Sequence, residues 1–152
     1  MVAAVGLLAT APSPLAQTPT PITIVIKRSI KFEDFASDLD IPGTVVVDPD
    51  GNKTVTGGVV DFGGNHRAGR FQILGEPKAF VIVTMPSSVT MTKNSNPTFT
   101  MTMDNFTIEF TNPIKLNNSG KKTVDWGATL NVGADQKKGN YSGSIPINVE
   151  YQ

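Results

Sequence analysis

The residues of this chain that could do chemistry are few and scattered. The single histidine, His66, stands in the turn-like run 63–67, where no motif supplies a partner to orient its imidazole for acid–base work. We therefore expect it to be an exposed loop residue. The chain contains no cysteine, which excludes thiolate nucleophiles and sulfur-ligated metals. No Gly-x-Ser-x-Gly elbow surrounds any of its serines.

Two groups of acidic residues invite a calcium or a glycosidase interpretation. Asp48 and Asp50 resemble the start of an EF-hand loop, but Gly51 stands at the fourth position instead of the sixth. Asp104 and Glu109 would lie on opposite faces of one strand, because their separation in sequence is odd. The sequence therefore predicts no enzyme, no bound metal and no cofactor.

The elements that would position any site are short strands. From Ile22 onward, runs rich in Val, Ile, Thr and Phe alternate with clusters of Gly, Pro, Asn and Asp, and no long run keeps a helical period. The predicted strands cover residues 22–27, 29–35, 43–48, 54–62, 69–74, 79–85, 89–92, 99–110, 122–132 and 139–151. Alternation within several of them indicates antiparallel sheets with one buried face. The predicted fold is all-β, an immunoglobulin-like antiparallel β-sandwich, with a β-barrel as the alternative.

Turn chemistry predicts two local features of this fold. Residues 48–52 offer a proline to preset φ and a glycine to accept positive φ, which predicts a hairpin. Gly57 and Gly58 stand inside a predicted strand, which indicates a bulge or a close approach of two backbones.

The first part of the chain differs in composition from the rest. All 13 Lys/Arg and all 13 Asp/Glu lie from Lys27 onward, and residues 2–11 are a short apolar run. This pattern is typical of a secretory signal peptide cleaved after Ala16, and the run is too short to span a bilayer. The usual basic segment is missing, so we expect the true start codon upstream; a disordered Ala/Pro tail is the alternative. The predicted organisation is a signal peptide at 1–16, an extension or first strand at 17–28 and one β-sandwich domain at 29–152.

Charge and export narrow the expected partners and location. The formal net charge is zero and the basic residues are scattered, so we expect neither nucleic acid nor an acidic membrane surface as a partner. The predicted signal peptide implies an exported protein, located in the periplasm, on the cell surface or outside the cell.

Several segments resemble a known family when taken in order. They are residues 43–51, 57–59, 71–75, 85–89, 104–107, 126–134 and 139–143. In order and content they resemble the bacterial family called domain of unknown function 4402, over residues 32–152. The resemblance implies an exported protein of a Gram-negative bacterium but no particular activity.

The C-terminus resembles a second group of proteins. Counted from Gln152 as one, the pattern places Tyr151 second, Val149 fourth, Ile147 sixth, Ile145 eighth and Gly139 fourteenth. This pattern is similar to the last strand of chaperone–usher pilins, which implies that a periplasmic chaperone pairs with the strand before assembly. Pro146 departs from the pattern, because a ladder position loses its N–H there.

The pilin resemblance also implies a donor strand at the other end of the chain. Such pilins lack one strand, and the N-terminal extension of a neighbour fills the groove. Ile22, Ile24 and Ile26 alternate as a donor strand requires, and Pro19 and Pro21 keep the preceding residues extended. Alternatively, residues 22–26 are the first strand of a self-contained sandwich.

These observations lead to two expectations about function. The first is a structural subunit of a bacterial surface fibre or coat, which associates with itself or with related surface subunits. The second is a monomeric binding or adhesion module that recognises a glycan or a surface protein through loops at 65–67 and 93–96. The sequence assigns no role to Trp126.

Overall fold

The computed structural model describes residues 15–152, which form thirteen strands and no helix. The predicted signal-peptide run therefore lies almost entirely outside the described residues. The strands are β1 (Thr23–Arg28), β2 (Phe35–Ser37), β3 (Gly43–Val47), β4 (Lys53–Gly57), β5 (Val59–Asp61), β6 (Gly69–Leu74), β7 (Phe80–Thr84), β8 (Ser88–Lys93), β9 (Asn96–Ile108), β10 (Ile114–Lys115), β11 (Lys121–Val132), β12 (Tyr141–Ser142) and β13 (Asn148–Tyr151). Within this part of the chain, no helix is long and apolar enough to cross a membrane.

The strands pair antiparallel, and the largest sheet is curled into a half-barrel. Its order is β1-β6-β11-β9-β8-β12, with β11 at its centre. Strand β9 follows one edge of β11, whereas β6 and then β3 share the other edge. Strand β4 pairs with the outer edge of β3. The all-β, antiparallel prediction is therefore confirmed. The large sheet is strongly curled, but it forms only half of a barrel.

A smaller sheet continues three strands of the large one. Each of its strands directly precedes or follows a strand of the large sheet in the chain: β7 precedes β8, β10 follows β9 and β13 follows β12. The order β10-β7-β13 in the small sheet therefore repeats the order β9-β8-β12 in the large sheet. The C-terminal segment, residues 141–151, therefore runs first along β8 and then along β7. A third, two-stranded sheet pairs β2 with β5.

The core fills the inside of the curl. Its fully buried members come from β3, β6, β7, β9 and β11 and the segment after β10: Val45, Val47, Phe71, Ile73, Val81, Met103, Leu116, Val124 and Val132. Each large apolar side chain buried in this way contributes about 1.5–3 kcal/mol relative to its exposed state. The alternation of buried and exposed residues along β6 and β11 is what a strand with one face on the core requires.

The turn chemistry behaves as predicted. Strands β3 and β4 form a hairpin in which the Gly51 N–H donates to the Asp48 carbonyl oxygen, with Gly51 at a φ of 88°. Gly57 has a φ of 64°, and a Cβ at Gly58 would meet the Ile41 carbonyl oxygen. The close backbone approach predicted for this glycine pair is confirmed.

Three predicted strands differ from the observed ones. The strand predicted at 54–62 is divided at Gly58 into β4 and β5. The strand predicted at 29–35 is reduced to a single bridge between Lys31 and Arg67, because the chain then leaves β6 to form β2. The strand predicted at 139–151 is interrupted over residues 143–147, where the segment passes from β8 to β7. Pro146 lies in this interruption, where it deprives no ladder of an N–H.

Candidate functional site

The first and last strands of the described chain are edge strands of two different sheets, β1 of the curled sheet and β13 of the three-stranded sheet. Among residues 15–152, β1 pairs only with β6, and β13 pairs only with β7. We call the space between them the seam. One side of the seam is β1 with its continuation to residue 37, and the other side is the C-terminal segment 141–151.

The backbone of β13 offers unpaired groups to the seam. The Gln152 N–H donates to the Phe80 carbonyl oxygen, and hydrogen-bonded pairs alternate along an antiparallel ladder. Val149 is opposite Val83, whose N–H and carbonyl are bound on the far side by the Asn112 side chain, at 3.0 and 2.8 Å. The N–H and carbonyl groups of Val149 and Tyr151 therefore point away from β7, into the seam.

Apolar side chains on both sides of the seam are only half covered. On one side these are Ile22, Ile24 and Ile30, and on the other Ile145, Ile147, Val149 and Tyr151. All of them pack against the core, yet none is fully buried. A sheet edge with unpaired backbone and partly covered apolar side chains is a site where another strand can add.

Tyr151 closes the lower end of the seam, which we define as the end near the turns at 75–79 and 117–120. Its hydroxyl accepts a hydrogen bond from the Glu76 N–H at 2.7 Å and donates one to the Thr20 carbonyl oxygen. The Thr20 N–H and hydroxyl both donate to the Glu76 carboxylate, at 3.0 and 2.5 Å. These hydrogen bonds from Thr20 hold the pKa of Glu76 below its ordinary value.

The seam widens at its upper end into an open cavity of about 1030 Å³. One wall consists of residues 30–37 with Leu39 and Phe62, and the other consists of residues 135–141. Met91, Met101 and Leu130 line its floor. Methionine side chains adapt to irregular partners, so this floor can accept apolar groups of more than one shape.

An ion pair fixes β1 at the upper end of its ladder with β6. Arg70 donates to both carboxylate oxygens of Asp125 at 2.6 Å, and Arg28 approaches the same carboxylate at 3.5 Å. The Arg70 guanidinium holds the pKa of Asp125 below its ordinary value. Arg28 also donates to the Ala68 carbonyl oxygen at 2.9 Å. The contacts of Thr20, which precedes β1, thus hold the lower end of this strand, and the contacts of Arg28 hold its upper end.

The structure brings most of the residues selected from the sequence to the seam. Ile22, just before β1, and Ile24, within it, pack against the core, but Ile26 is 61% exposed, next to the register shift between Ile26 and Arg28. Ile145, Ile147, Val149 and Tyr151 lie on the opposite side. Gly139 stands before β12 with a φ of 146°, next to the Lys93 side chain.

The environment of His66 differs from the predicted one, and the structure gives a position to Trp126. His66 is half buried, not exposed, and its Nδ1 atom is buried without a hydrogen-bond partner. Trp126, which the sequence could not place, is buried in the core. Its indole lies over the backbone of Gly69 and is tilted by 42° against the Phe106 ring, with a 6.0 Å centroid separation. Residues 15–152 contain no group of His, Asp and Glu side chains that could hold a metal ion.

The sequence model of the family described as Domain of unknown function (DUF4402) matches residues 22–151. The chain belongs to this family. The resemblance to it that the segments from residue 43 onward indicated is therefore confirmed. Because the match begins at Ile22 and ends at Tyr151, both sides of the seam are part of the DUF4402 domain. No curated protein and no solved structure matches the chain. The pilin resemblance of the C-terminus stays a prediction.

Proposed function

We propose that this DUF4402 protein is a structural subunit of a bacterial surface fibre or coat, and that subunits assemble by adding a strand in the seam. The observation that carries the proposal is the outer edge of β13, with unpaired backbone groups at Val149 and Tyr151 beside half-covered apolar side chains. The added strand would be an extended segment of a neighbouring subunit, with apolar residues at alternate positions.

The order of the strands supports this reading. Immunoglobulin-like sandwiches place strands A, B, E and D in one sheet and strands C, F and G in the other. In chain order, β1, β6, β7, β9, β11 and β13 correspond to A, B, C, D, E and F. Strands β1, β6, β11 and β9 are neighbours in the order A-B-E-D, and β13 pairs with β7 as F pairs with C. The position of strand G, beyond β13, is the seam.

The energetics favour occupation of the seam. A strand paired with β13 would bind the backbone groups of Val149 and Tyr151, each hydrogen bond contributing about 0.5–1.5 kcal/mol net. It would also cover apolar side chains on both sides, at about 25 cal/mol for each Å² removed from water. Its backbone and side-chain ordering oppose this gain, so the contact is expected to be strong only for a strand that alternates in register with the seam.

The donor proposed from the sequence, residues 22–26, is held in β1 of its own sheet. It can be donated only if β1 leaves β6, which breaks the contacts of Thr20 and Arg28 as well as the ladder. The β1 strand of a second copy could then re-form the same register on β6. Strand addition at β13 needs no such release, and it is the form of assembly that the geometry favours.

The test uses backbone amide exchange of residues 17–152 by nuclear magnetic resonance, with light scattering to follow assembly. The chain is studied over a range of concentrations and with a synthetic peptide of residues 17–28 as the probe strand. We expect the amides of Val149 and Tyr151 to become protected when the protein assembles or takes up the peptide. If the peptide instead displaces β1, protection of β13 stays unchanged and the amides of the released β1 exchange faster.

Two proline variants provide a matched pair. Val149→Pro removes an N–H that points into the seam, so the monomer should stay folded while assembly is lost. Glu150→Pro removes an N–H that faces β7, so it should destabilise the monomer itself. The proposal is wrong if Val149→Pro assembles like the parent chain, or if neither concentration nor peptide protects the Val149 amide.

A further inference from the structure

Exposed large apolar side chains cluster on one small unit at the upper end of the molecule. Leu39, Ile41, Val60 and Phe62 are all more than half exposed, and they belong to the β2–β5 sheet and the turn that follows β2. Leu39 and Phe62 both line the cavity, and backbone hydrogen bonds join the segments 34–38 and 58–62, which contain or lead into this set. We call this set the upper patch. Contiguous exposed apolar groups of this kind mark interaction surfaces.

Acidic residues border the upper patch. Asp34, Asp38 and Asp40 are exposed and form no ion pair within residues 15–152, whereas Asp61 is paired with Lys53 at 2.6 Å and Glu33 with Lys31 at 3.3 Å. The amides of Asp40 and Ile41 donate to the Asp38 carboxylate and hold its pKa below the ordinary value. Lys31, on the patch side of the cavity, is paired with Glu33; the other lysines near the cavity are Lys93, at the end of β8, and Lys137 and Lys138, on the opposite wall.

The lower end of the molecule carries lysines that have no acidic partner in the described residues. Lys78, Lys115, Lys121 and Lys122 lie in or beside the turns that connect β6 to β7 and β10 to β11. None of these four forms an ion pair in the described part of the chain, and the nearby Glu76 is bound by Thr20. Lys115 lies over the exposed Phe80 ring at 5.5 Å, and Lys122 lies over Phe110 at 3.8 Å.

The two ends are far apart on one rigid element. Strand β11 begins beside the lower turns at Lys121 and ends at Val132, opposite Gly43 and close to the upper patch. Its twelve residues span roughly 37 Å at a strand rise of about 3.3 Å per residue. One molecule therefore cannot bring its own ends together.

We propose that the upper patch binds the lysine-rich lower end of a second copy, so that subunits stack head to tail. The apolar and acidic groups of the patch complement the aromatic and basic groups of the other end. A contact between two different surfaces of identical molecules leaves one of each surface free, so it extends into a filament unless the ring closes. This inference deepens the proposed function by naming a second contact between subunits, independent of the seam.

Charge reversal at each end gives the test. Asp34→Lys with Asp40→Lys alters the upper patch, and Lys115→Glu with Lys121→Glu alters the lower end; all four side chains are exposed. Sedimentation velocity at low ionic strength should show that the unaltered chain associates and that each double variant associates at least about tenfold more weakly. Raising the salt concentration should weaken association of the unaltered chain, because exposed charges are screened.

Association in a mixture of the two double variants is the decisive test of head-to-tail stacking. Each altered surface then meets an oppositely charged surface on the other variant, so an equimolar mixture should regain association. Phe62→Ser should weaken association at every salt concentration, because it removes an apolar contact. A mixture that stays as weakly associated as the separate variants overturns the proposal, as does an unaltered chain that stays monomeric at low salt.

The two proposals can fail separately. Carrying Val149→Pro in both partners of the mixture blocks the seam without touching either end. Association of that mixture supports head-to-tail stacking even if the seam takes up no strand. Conversely, the charge-reversal mixture could fail to associate while the unaltered chain still shows protection of the Val149 amide. That result would refute head-to-tail stacking and leave strand addition in place.

Discussion

Replacing Gly69 with alanine should destabilise the protein through a single contact. A Cβ at Gly69 would lie closer than 3.0 Å to three atoms of the Trp126 indole, and both residues are buried. The nearest indole atom would be 2.1 Å from this Cβ, and carbon atoms in contact prefer about 3.5–4.0 Å, so the indole must shift by roughly 1.5–2 Å. Trp126 is only 4% exposed and already packs against Phe106, which leaves little room for that shift. Overpacking of this kind costs about 1–3 kcal/mol, and we expect about 2 kcal/mol here.

Urea unfolding followed by fluorescence measures this effect directly, because Trp126 is the only tryptophan in the chain. A loss of about 2 kcal/mol lowers the urea midpoint by roughly 1 M for a typical slope of about 2 kcal/mol per M. The emission of the folded variant should also shift, since the indole environment changes. Gly133→Ala is the matched control, because the nearest atom to its Cβ would be a flexible Gln136 side-chain oxygen at 3.3 Å.

A double-mutant cycle separates the indole contact from other effects of the new methyl group. In a Trp126→Leu background, followed by circular dichroism, Gly69→Ala should cost much less, because the ring it collides with is gone. Equal costs in the two backgrounds, or a Gly69→Ala variant as stable as the parent chain, would show that the indole does not lie over the Gly69 backbone.

Two further predictions concern charged groups. Arg70 holds the pKa of Asp125 below its ordinary value, so this ion pair stabilises the fold above about pH 4, and the contribution is lost as the pH falls through the lower folded-state pKa. Asp125→Asn should therefore lower the urea midpoint more at neutral pH than in acid, where the carboxylate becomes protonated; an equal loss at both pH values would contradict the reasoning. The Lys53 side chain is 2% exposed and its Nζ lies 2.6 Å from Asp61, so Asp61→Ala leaves a buried charge without its partner. We expect a loss of about 1–2 kcal/mol in thermal or urea unfolding for Asp61→Ala and a smaller one for Lys53→Met; the reverse order would refute this account.

Local chemistry in the sequence was sufficient to predict the strand-rich fold and its turns. The Asp48–Gly51 turn depends only on neighbouring residues, and so does the close approach at Gly57 and Gly58. The type of most elements follows from period-two alternation, which also belongs to a single strand.

Features set by distant partners could not be predicted. Ile26 is exposed although it keeps the register of Ile24 on β6, and no pattern within residues 22–26 distinguishes it from Ile22 and Ile24. Trp126 had no predicted place because its position depends on Gly69, a strand away in space and far apart in sequence. The seam combines both situations: alternation identified its two sides, but only the hydrogen bond between Tyr151 and Thr20 and the shared cavity show that they lie beside each other.

The hydrogen bond between Tyr151 and Thr20 joins residues that are 131 positions apart in the chain. The central strand β11 likewise pairs with β3 and β6, which precede it by dozens of residues. A topology dominated by such non-local pairs closes large loops before it gains contacts, so it folds on the millisecond-to-second scale and not in microseconds. Before β13 pairs with it, one edge of β7 has no partner strand. Until that pairing forms, this edge of β7 is open to capture by a strand of another chain.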